Sequence, residues 1–278
     1  MFTDYHIHTV FSDDSEESME NVVKEAIALK LDEICFTDHV DYGVKLDWDD
    51  SSDAVIKKPT ASRTVFNVDY PKYFREIKHL QEEYKEKIVI KCGLEFGIQL
   101  NTIPEFQKLF DKSPLDFVIL SCHQIENKEF WSYDFQTGRT QDEYNERYYQ
   151  EILQCIKNYK DYSILGHLDM IQRYNETRHP FEKSRNIIEL ILEQIIRDGK
   201  GIEVNTSSFQ YGLSDLMPSR EILKLYYDMG GEIITIGSDC HKIKQLAEKI
   251  PFVKEELKGI GYRYHCTFEQ MKPYFHLL

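Results

Sequence analysis

The stretch DYHIHTVFSDDS, residues 4–15, decides the fold. It opens as a β-like run, Asp4–Val10, and leaves through HTVFSDDS without a single glycine. A helical pattern follows. Ser18–Leu31 carries Val22, Val23, Ala26, Ile27 and Leu31 near helical spacing, with Ser18 as its start signal. An open doubly wound sheet would need a glycine-rich phosphate turn after its first strand. Its absence here favours a closed barrel.

The rest of the chain repeats the unit. Six more runs read as strands: Glu33–Thr37, Ile88–Leu94, Phe117–Ser121, Ser163–Leu165, Gly201–Asn205 and Glu232–Ile236. They are apolar rather than cleanly alternating, which suits a sheet buried on both faces. Helical patterns cover Tyr70–Lys87, Ile103–Asp111, Gln141–Tyr159, Glu182–Asp198, Pro218–Met229 and Ile243–Leu257. Pro218 is expected in the first turn of its helix, and Gly199 and Gly230 just past the ends of theirs. Strand then helix, seven times, predicts a parallel α/β fold. The first expectation is a TIM-barrel-like barrel of seven or eight strands, with its active site at their C-terminal ends. No repeat or linker divides the chain, so one domain over residues 1–278 is expected. The longest stretch without periodicity, Val40–Asn67, reads as a functional loop.

The chain has 278 residues, with 48 acidic side chains against 34 basic ones, for a net charge of −14. That balance argues against nucleic-acid or anionic-membrane partners, which need a basic face. No apolar run approaches the roughly 18 residues of a membrane span. The start, MFTDYHIHTV, shows neither the basic nor the apolar region of an export signal. Six cysteines without a CxxC pair read as buried thiols of a cytoplasmic protein. Oligomeric state is open.

The chemistry is expected at the strand ends. His6 and His8 lie two apart in the first strand and so share a face. His39 follows the second strand, Glu95 the third, His123 the fourth and His167 the fifth. Asp239 and His241 follow the seventh, again two apart. In a barrel these ends converge on one rim. Asp13 or Asp14, at the exit of the first strand, is one more ligand candidate. Nine ligands are too many for one ion and suit three. Nitrogen and carboxylate donors without thiolate favour Zn, Mn or Fe over Ca or Mg.

Read in order, HIHTVFSDDS, FTDH, GLEFG, SCHQ, GHLD and GSDCH resemble the polymerase and histidinol phosphatase (PHP) family. The strings DHVDYGVKLDW, NVDYPKYF, GHLDMIQRY and EVNTSS are similar to its histidinol-phosphatase branch. Where that branch often carries an arginine after EVNTS, this chain has Gln210. The resemblance implies a distorted (β/α)7 barrel with a trinuclear metal centre. It assigns His6, His8, Glu95 and Asp239 to the first ion. Glu95 bridges to a second, held by His123 and His167. His39 and His241 hold the third with an acidic residue of the first motif, and relatives of the FSxD type favour Asp14.

The implied reaction is hydrolysis of L-histidinol phosphate to L-histidinol and phosphate, late in histidine biosynthesis, by a hydroxide between metals. Another phosphoester substrate (a nucleotide or phosphotyrosine) and a non-catalytic metal-binding module are the alternatives. Three divalent ions, three carboxylates and one hydroxide leave about +2, a match for a phosphate dianion. Glu95, Asp239 and Arg173 are the catalytic candidates. Asp239 is one possible proton donor to the leaving alcohol. Arg173 is the first choice for a phosphate contact, ahead of Arg178, Arg139, Arg63, Lys57 and Lys58. Trp48, Tyr42, Tyr70 and Tyr174 are candidates to shape the pocket. Asp41, Asp47, Asp49, Asp50 and Asp53 form an acidic rim suited to a cationic amine.

Overall fold

The structure is a computed structural model that describes residues 1–50 and 65–278. Its strands are β1 (Thr3–Ile7), β2 (Glu33–Phe36), β3 (His39–Val40), β4 (Val89–Gly97), β5 (Phe117–Ser121), β6 (Gln124–Ile125), β7 (Lys128–Glu129), β8 (Ile164–Leu165), β9 (Gly201–Asn205), β10 (Ile234–Gly237), β11 (Tyr264–Glu269) and β12 (Lys272–Leu277). Its α-helices are α1 (Met19–Ala28), α2 (Tyr70–Tyr84), α3 (Ile103–Phe110), α4 (Gln141–Asn158), α5 (Phe181–Arg197), α6 (Arg220–Asp228) and α7 (Ile250–Ile260).

Seven parallel strands pair in the order β1-β2-β4-β5-β8-β9-β10. The sheet then nearly closes on itself. His8 N donates to Cys240 O at 2.9 Å, and Cys240 N to His6 O at 3.2 Å. The short β3 pairs alongside the upper part of β4, with His39 opposite Glu95. The barrel expected from the strand–helix repeat is therefore present, with seven strands.

Inside the barrel, Tyr5, Cys35, Phe117, Ile119 and Ile164 pack with Cys266 and Phe268 of β11. The β11–β12 hairpin thus plugs the N-terminal end of the barrel and leaves the C-terminal end for chemistry. The larger apolar core lies between strands and helices. Each fully buried large side chain there is worth about 1.5–3 kcal/mol. Local signals agree with the helices. Ser18 accepts from Asn21 N at 3.2 Å, and Thr140 and Glu143 cap α4 reciprocally.

Three expectations change. Pro218 lies before α6, which starts at Arg220 with Ser219 as its cap. The 243–257 pattern splits into a 3-10 turn, Ile243–Gln245, and α7, because Pro251 can sit only in a first helical turn. The C-terminal hairpin adds a pair of strands outside the strand–helix repeat. Its turn residues Gln270 and Met271 both have positive φ, 48° and 64°, without the usual Asn-Gly signature.

Candidate metal centre

The register between β1 and β2 breaks between Asp4 and Ile7. Tyr5 therefore packs inside the barrel while Ile7, of the same parity, joins the outer core. Such a break re-aims side chains near active sites. Here His6 and His8 are both fully buried and turned to one point. On β4 the alternate residues Gly93, Glu95 and Gly97 form one row. Glu95 lies within the strand, not beyond it as expected, because β4 runs on to Gly97. Gly97 has no room for a side chain. A Cβ there would collide with Asp41 and lie 2.8 Å from His123 Nδ1. At Gly237 it would collide with His6.

Nine side chains converge at the C-terminal end of the barrel. His6 Nε2 and His8 Nε2 lie 3.2 and 3.5 Å from Glu95 Oε2, and 3.6 and 3.3 Å from Asp239 Oδ1. The other Glu95 oxygen, Oε1, lies 3.1 Å from His123 Nε2 and 2.8 Å from His167 Nε2. The remaining three form a triangle. His241 Nε2 is 3.4 Å from His39 Nε2, and Asp14 Oδ2 is 3.2 and 3.5 Å from those two atoms. Donors about 2.0–2.1 Å from a tetrahedral ion stand about 3.4 Å apart. The observed edges have that length. Of the two candidate aspartates, Asp14 joins the group and Asp13 turns away to Lys45 Nζ at 2.6 Å.

The donors also need a cation. His6 Nε2, His8 Nε2 and Glu95 Oε2 are buried and make no hydrogen bond of acceptable geometry. Orphaned buried groups cost about 1–3 kcal/mol each. A divalent ion among them removes that cost, so the residues fit one.

The far side of four of the six rings is anchored, which turns Nε2 to the centre. His6 Nδ1 lies 2.6 Å from Glu203 Oε1, His8 Nδ1 3.2 Å from Ser12 Oγ, and His123 Nδ1 2.8 Å from Asp41 Oδ1. His241 Nδ1 lies 2.9 Å from Asp239 O. Glu203 Oε2 further accepts from His167 N at 3.0 Å and Asn205 Nδ2 at 3.1 Å. Asp38 accepts from Thr9 and Ser12, which ties the first-strand exit beneath His39. Asp38 stands in FTDH, Glu203 in EVNTSS and Lys45 in DHVDYGVKLDW, but the sequence assigns none of them a role, and Asp41 stands there only as a rim acid. Glu203 does carry a signal: like Glu95, it interrupts an apolar strand run.

Charges in the site shift one another. Burial opposes the charged form throughout. At Glu95 and Asp239 the surrounding histidines outweigh it and hold both carboxyls well below the usual range. At His6 the carboxylates of Glu203, Glu95 and Asp239 outweigh it and raise the imidazole. His8 goes down, through burial and through His39 and His241, whose rings stack on it at 4.1 Å. Asp239 and His167 have positive φ, 57° and 21°. Such non-glycine residues cost of order 1–3 kcal/mol and cluster at functional sites.

A cavity of about 500 Å³ opens over Asp14, His39, His123, His167, Asp239 and His241. Lys45, Glu129, Trp131, Arg173, Tyr174 and Tyr211 complete much of its wall. Arg173 donates to Ser207 Oγ at 2.8 Å and Asp239 Oδ2 at 3.2 Å, with its guanidinium 4.1 Å from the Tyr211 ring centre. The other expected cations stand elsewhere. Arg178 pairs with Glu221 and Asp215, and Arg139 with Glu126. Arg63, Lys57, Lys58 and Asp53 lie outside the described residues. Of the expected aromatics, Tyr174 lines the cavity, whereas Tyr42 and Tyr70 bond to each other at 3.1 Å. Trp48 is partly exposed. Among the described residues, no helix is long and apolar enough to cross a membrane.

Residues 4–207 match the family model of the PHP domain. The chain is 35% identical over 274 residues to the histidinol-phosphatase of Lactococcus lactis, covering 97% of this chain and 95% of that one. It is 26% identical over 262 residues to a probable histidinol-phosphatase of Thermotoga maritima, covering 94% and 93%. Among solved structures, histidinol phosphate phosphatase of Lactococcus lactis, complexed with zinc, L-histidinol and phosphate, superposes with a TM-score of 0.84. That pair is 34% identical and covers 98% of both chains. With a putative histidinol phosphatase of Listeria monocytogenes, at 20% identity, the chain shares the fold, with a TM-score of 0.72 over 90% of this chain and 99% of that one. Fold, motif order and match over most of its length agree: this chain belongs to the PHP domain family.

Proposed function

We propose that this chain is a histidinol-phosphatase, which hydrolyses L-histidinol phosphate to L-histidinol and phosphate with divalent metal ions. The observation that carries this reading is 35% identity across nearly the whole of both chains to the Lactococcus enzyme. The zinc, histidinol and phosphate in the solved Lactococcus structure support it. We read the nine converging donors as ligands of three ions, zinc first, with manganese or iron as the alternatives. His6, His8, Glu95 and Asp239 would hold the first, Glu95, His123 and His167 the second, and Asp14, His39 and His241 the third. One domain over residues 1–278 and a cytoplasmic location complete the reading. Six free, buried cysteines suit a reducing compartment.

When bound, the ions supply Lewis-acid charge against phosphoryl oxygens and bring the pKa of water near neutrality. The protein's own groups do the rest. Glu203, Ser12 and Asp41 fix three imidazoles through Nδ1, so that each offers the Nε2 lone pair. Asp239 commits both oxygens. Oδ1 faces His6 and His8, and Oδ2 accepts from Arg173, Asn205 and Ser207. So held, it stays ionised, and we assign it to the ions rather than to proton donation. Arg173, braced by Ser207 and Tyr211, offers its remaining N–H groups to the phosphate. Glu129, with the rings of Trp131 and Tyr174, suits the amine and imidazole of the alcohol part.

Substrate choice is tested by kcat/KM at fixed salt and metal. L-histidinol phosphate is expected to exceed both a nucleoside monophosphate and a dinucleotide diester. A competitor hydrolysed more efficiently would overturn the substrate and leave a metal-dependent phosphoesterase.

The third ion has its own test. Elemental analysis of protein grown with metals and purified without chelator is expected to give about two to three ions per chain. Asp14→Ala should lower that count and cut kcat by about 100-fold or more. Asp13→Asn should keep the count, since Asp13 pairs with Lys45 while Asp14 stands against His39 and His241. Equal metal loss in both variants would refute the choice of Asp14.

A further inference from the structure

A second cavity, of about 220 Å³, lies behind Arg173. Its walls are the 3-10 turn Met170–Tyr174 with its flanks, the first half of α5 and the 212–222 segment that leads into α6. Phe181, Ile188, Leu216 and Ile222 give it an apolar lining. Into that lining come two polar residues that are only 4% exposed, Asp169 and His179. Asp169 Oδ2 accepts from Ser219 N at 3.0 Å, but Oδ1 has no hydrogen-bond partner. His179 Nε2 is bonded to Ser184 Oγ at 3.0 Å. Its Nδ1 makes no hydrogen bond, with Asp142 Oδ1 standing 3.5 Å away.

An unpaired carboxyl oxygen beside apolar side chains is costly unless a donor meets it. A donor-bearing ligand satisfies Asp169 Oδ1. Charge selects its sign. Asp169, Glu176, Asp215 and Glu221 line the cavity against Arg178, which Glu221 and Asp215 already engage. The volume is below the roughly 300–1,000 Å³ of sites for drug-sized molecules, so the ligand is small.

The cavity also touches what holds Arg173. Asp169 flanks the turn that carries Arg173. The chain from Ser207 and Tyr211, which brace the guanidinium, runs directly into the wall at Gly212. We infer that this cavity is a second binding site, for a small organic ammonium with an apolar body, and that its occupancy acts on Arg173. The second half rests on the phosphate-binding role proposed for Arg173. The first half does not.

Benzylamine is the probe, titrated by calorimetry into the metal-loaded enzyme saturated with inorganic phosphate, and soaked into crystals of the same complex. The expected result is density for the amine against Asp169 Oδ1. Affinity should fall about 10-fold or more in Asp169→Asn, the scale of losing a charged hydrogen bond. It should vanish in Ile222→Trp, which fills the cavity. The Kd for inorganic phosphate should change by about 5-fold or more when benzylamine is present. No binding, density in the metal cavity alone, or unchanged binding in Ile222→Trp would overturn the site. Should that variant not fold, the crystal soak of the unaltered protein decides alone. Binding with an unchanged phosphate Kd would overturn the coupling to Arg173. Failure to hydrolyse histidinol phosphate would count against the substrate and leave the benzylamine result standing.

Discussion

Glu95→Gln is expected to cut kcat by more than about 100-fold and to lower the metal content, with the barrel still folded. Losing an outer partner of a metal ligand typically costs about 10–100-fold, and Glu95 stands closer than that. Its Oε2 lies within 3.5 Å of ring nitrogens of His6, His8 and His39. Its Oε1 lies within 3.1 Å of His123 and His167. No other carboxylate among the described residues reaches five of these histidines. The amide keeps the shape but replaces an acceptor oxygen by a donor facing nitrogens that must also accept. On the proposed reading, Glu95 is the ligand that two ions would share, and both would lose it. Glu95→Ala should be more severe, because it also leaves a void beside Ser121, whose hydroxyl donates to Oε1 at 2.7 Å. The checks are steady-state kcat, elemental analysis and circular dichroism on the same preparations. Near-normal turnover with full metal content in Glu95→Gln would remove Glu95 from the centre.

Much of this site is legible in the amino-acid sequence. Strand ends converge in a barrel, so histidines and acids there announce a rim. That logic finds His6, His8, His39, Glu95, His123, His167, Asp239 and His241. It stops where regular geometry stops. Asp13 and Asp14 lie past the end of β1, where alternation says nothing about direction. What separates them is Lys45, which draws Asp13 to itself from a loop with no periodicity. Glu203 is 197 residues from His6, and the pairing becomes visible only when β9 and β10 bring it beside β1. The C-terminal hairpin escapes for a local reason: its turn uses Gln270 and Met271 where glycine or asparagine would have marked it.

Arg173→Ala is expected to lower kcat/KM for histidinol phosphate by roughly 10- to 1,000-fold. One hydrogen bond to a charged group is worth about 1.5–3 kcal/mol, or about 10- to 150-fold, and a forked contact reaches further. Arg173 is built for such a contact. Its side chain is 5% exposed, lies over Tyr211, and is tied to Ser207 and Asp239. It reaches the cavity in one geometry and loses little freedom when phosphate arrives. Arg173→Lys should recover only part of the loss, since an ammonium has neither the fork nor the flat face that stacks on Tyr211. The Asp239 contact allows a different explanation: the mutation frees Asp239 and so loosens an ion. Two measurements separate them. If Arg173 binds phosphate, its removal raises the inhibition constant of inorganic phosphate and leaves the metal content intact. If it acts through Asp239, metal content falls together with kcat, and Ser207→Ala, which removes another donor to Asp239 Oδ2, shows the same loss in milder form. A variant with unchanged kcat/KM and unchanged phosphate inhibition would exclude both roles.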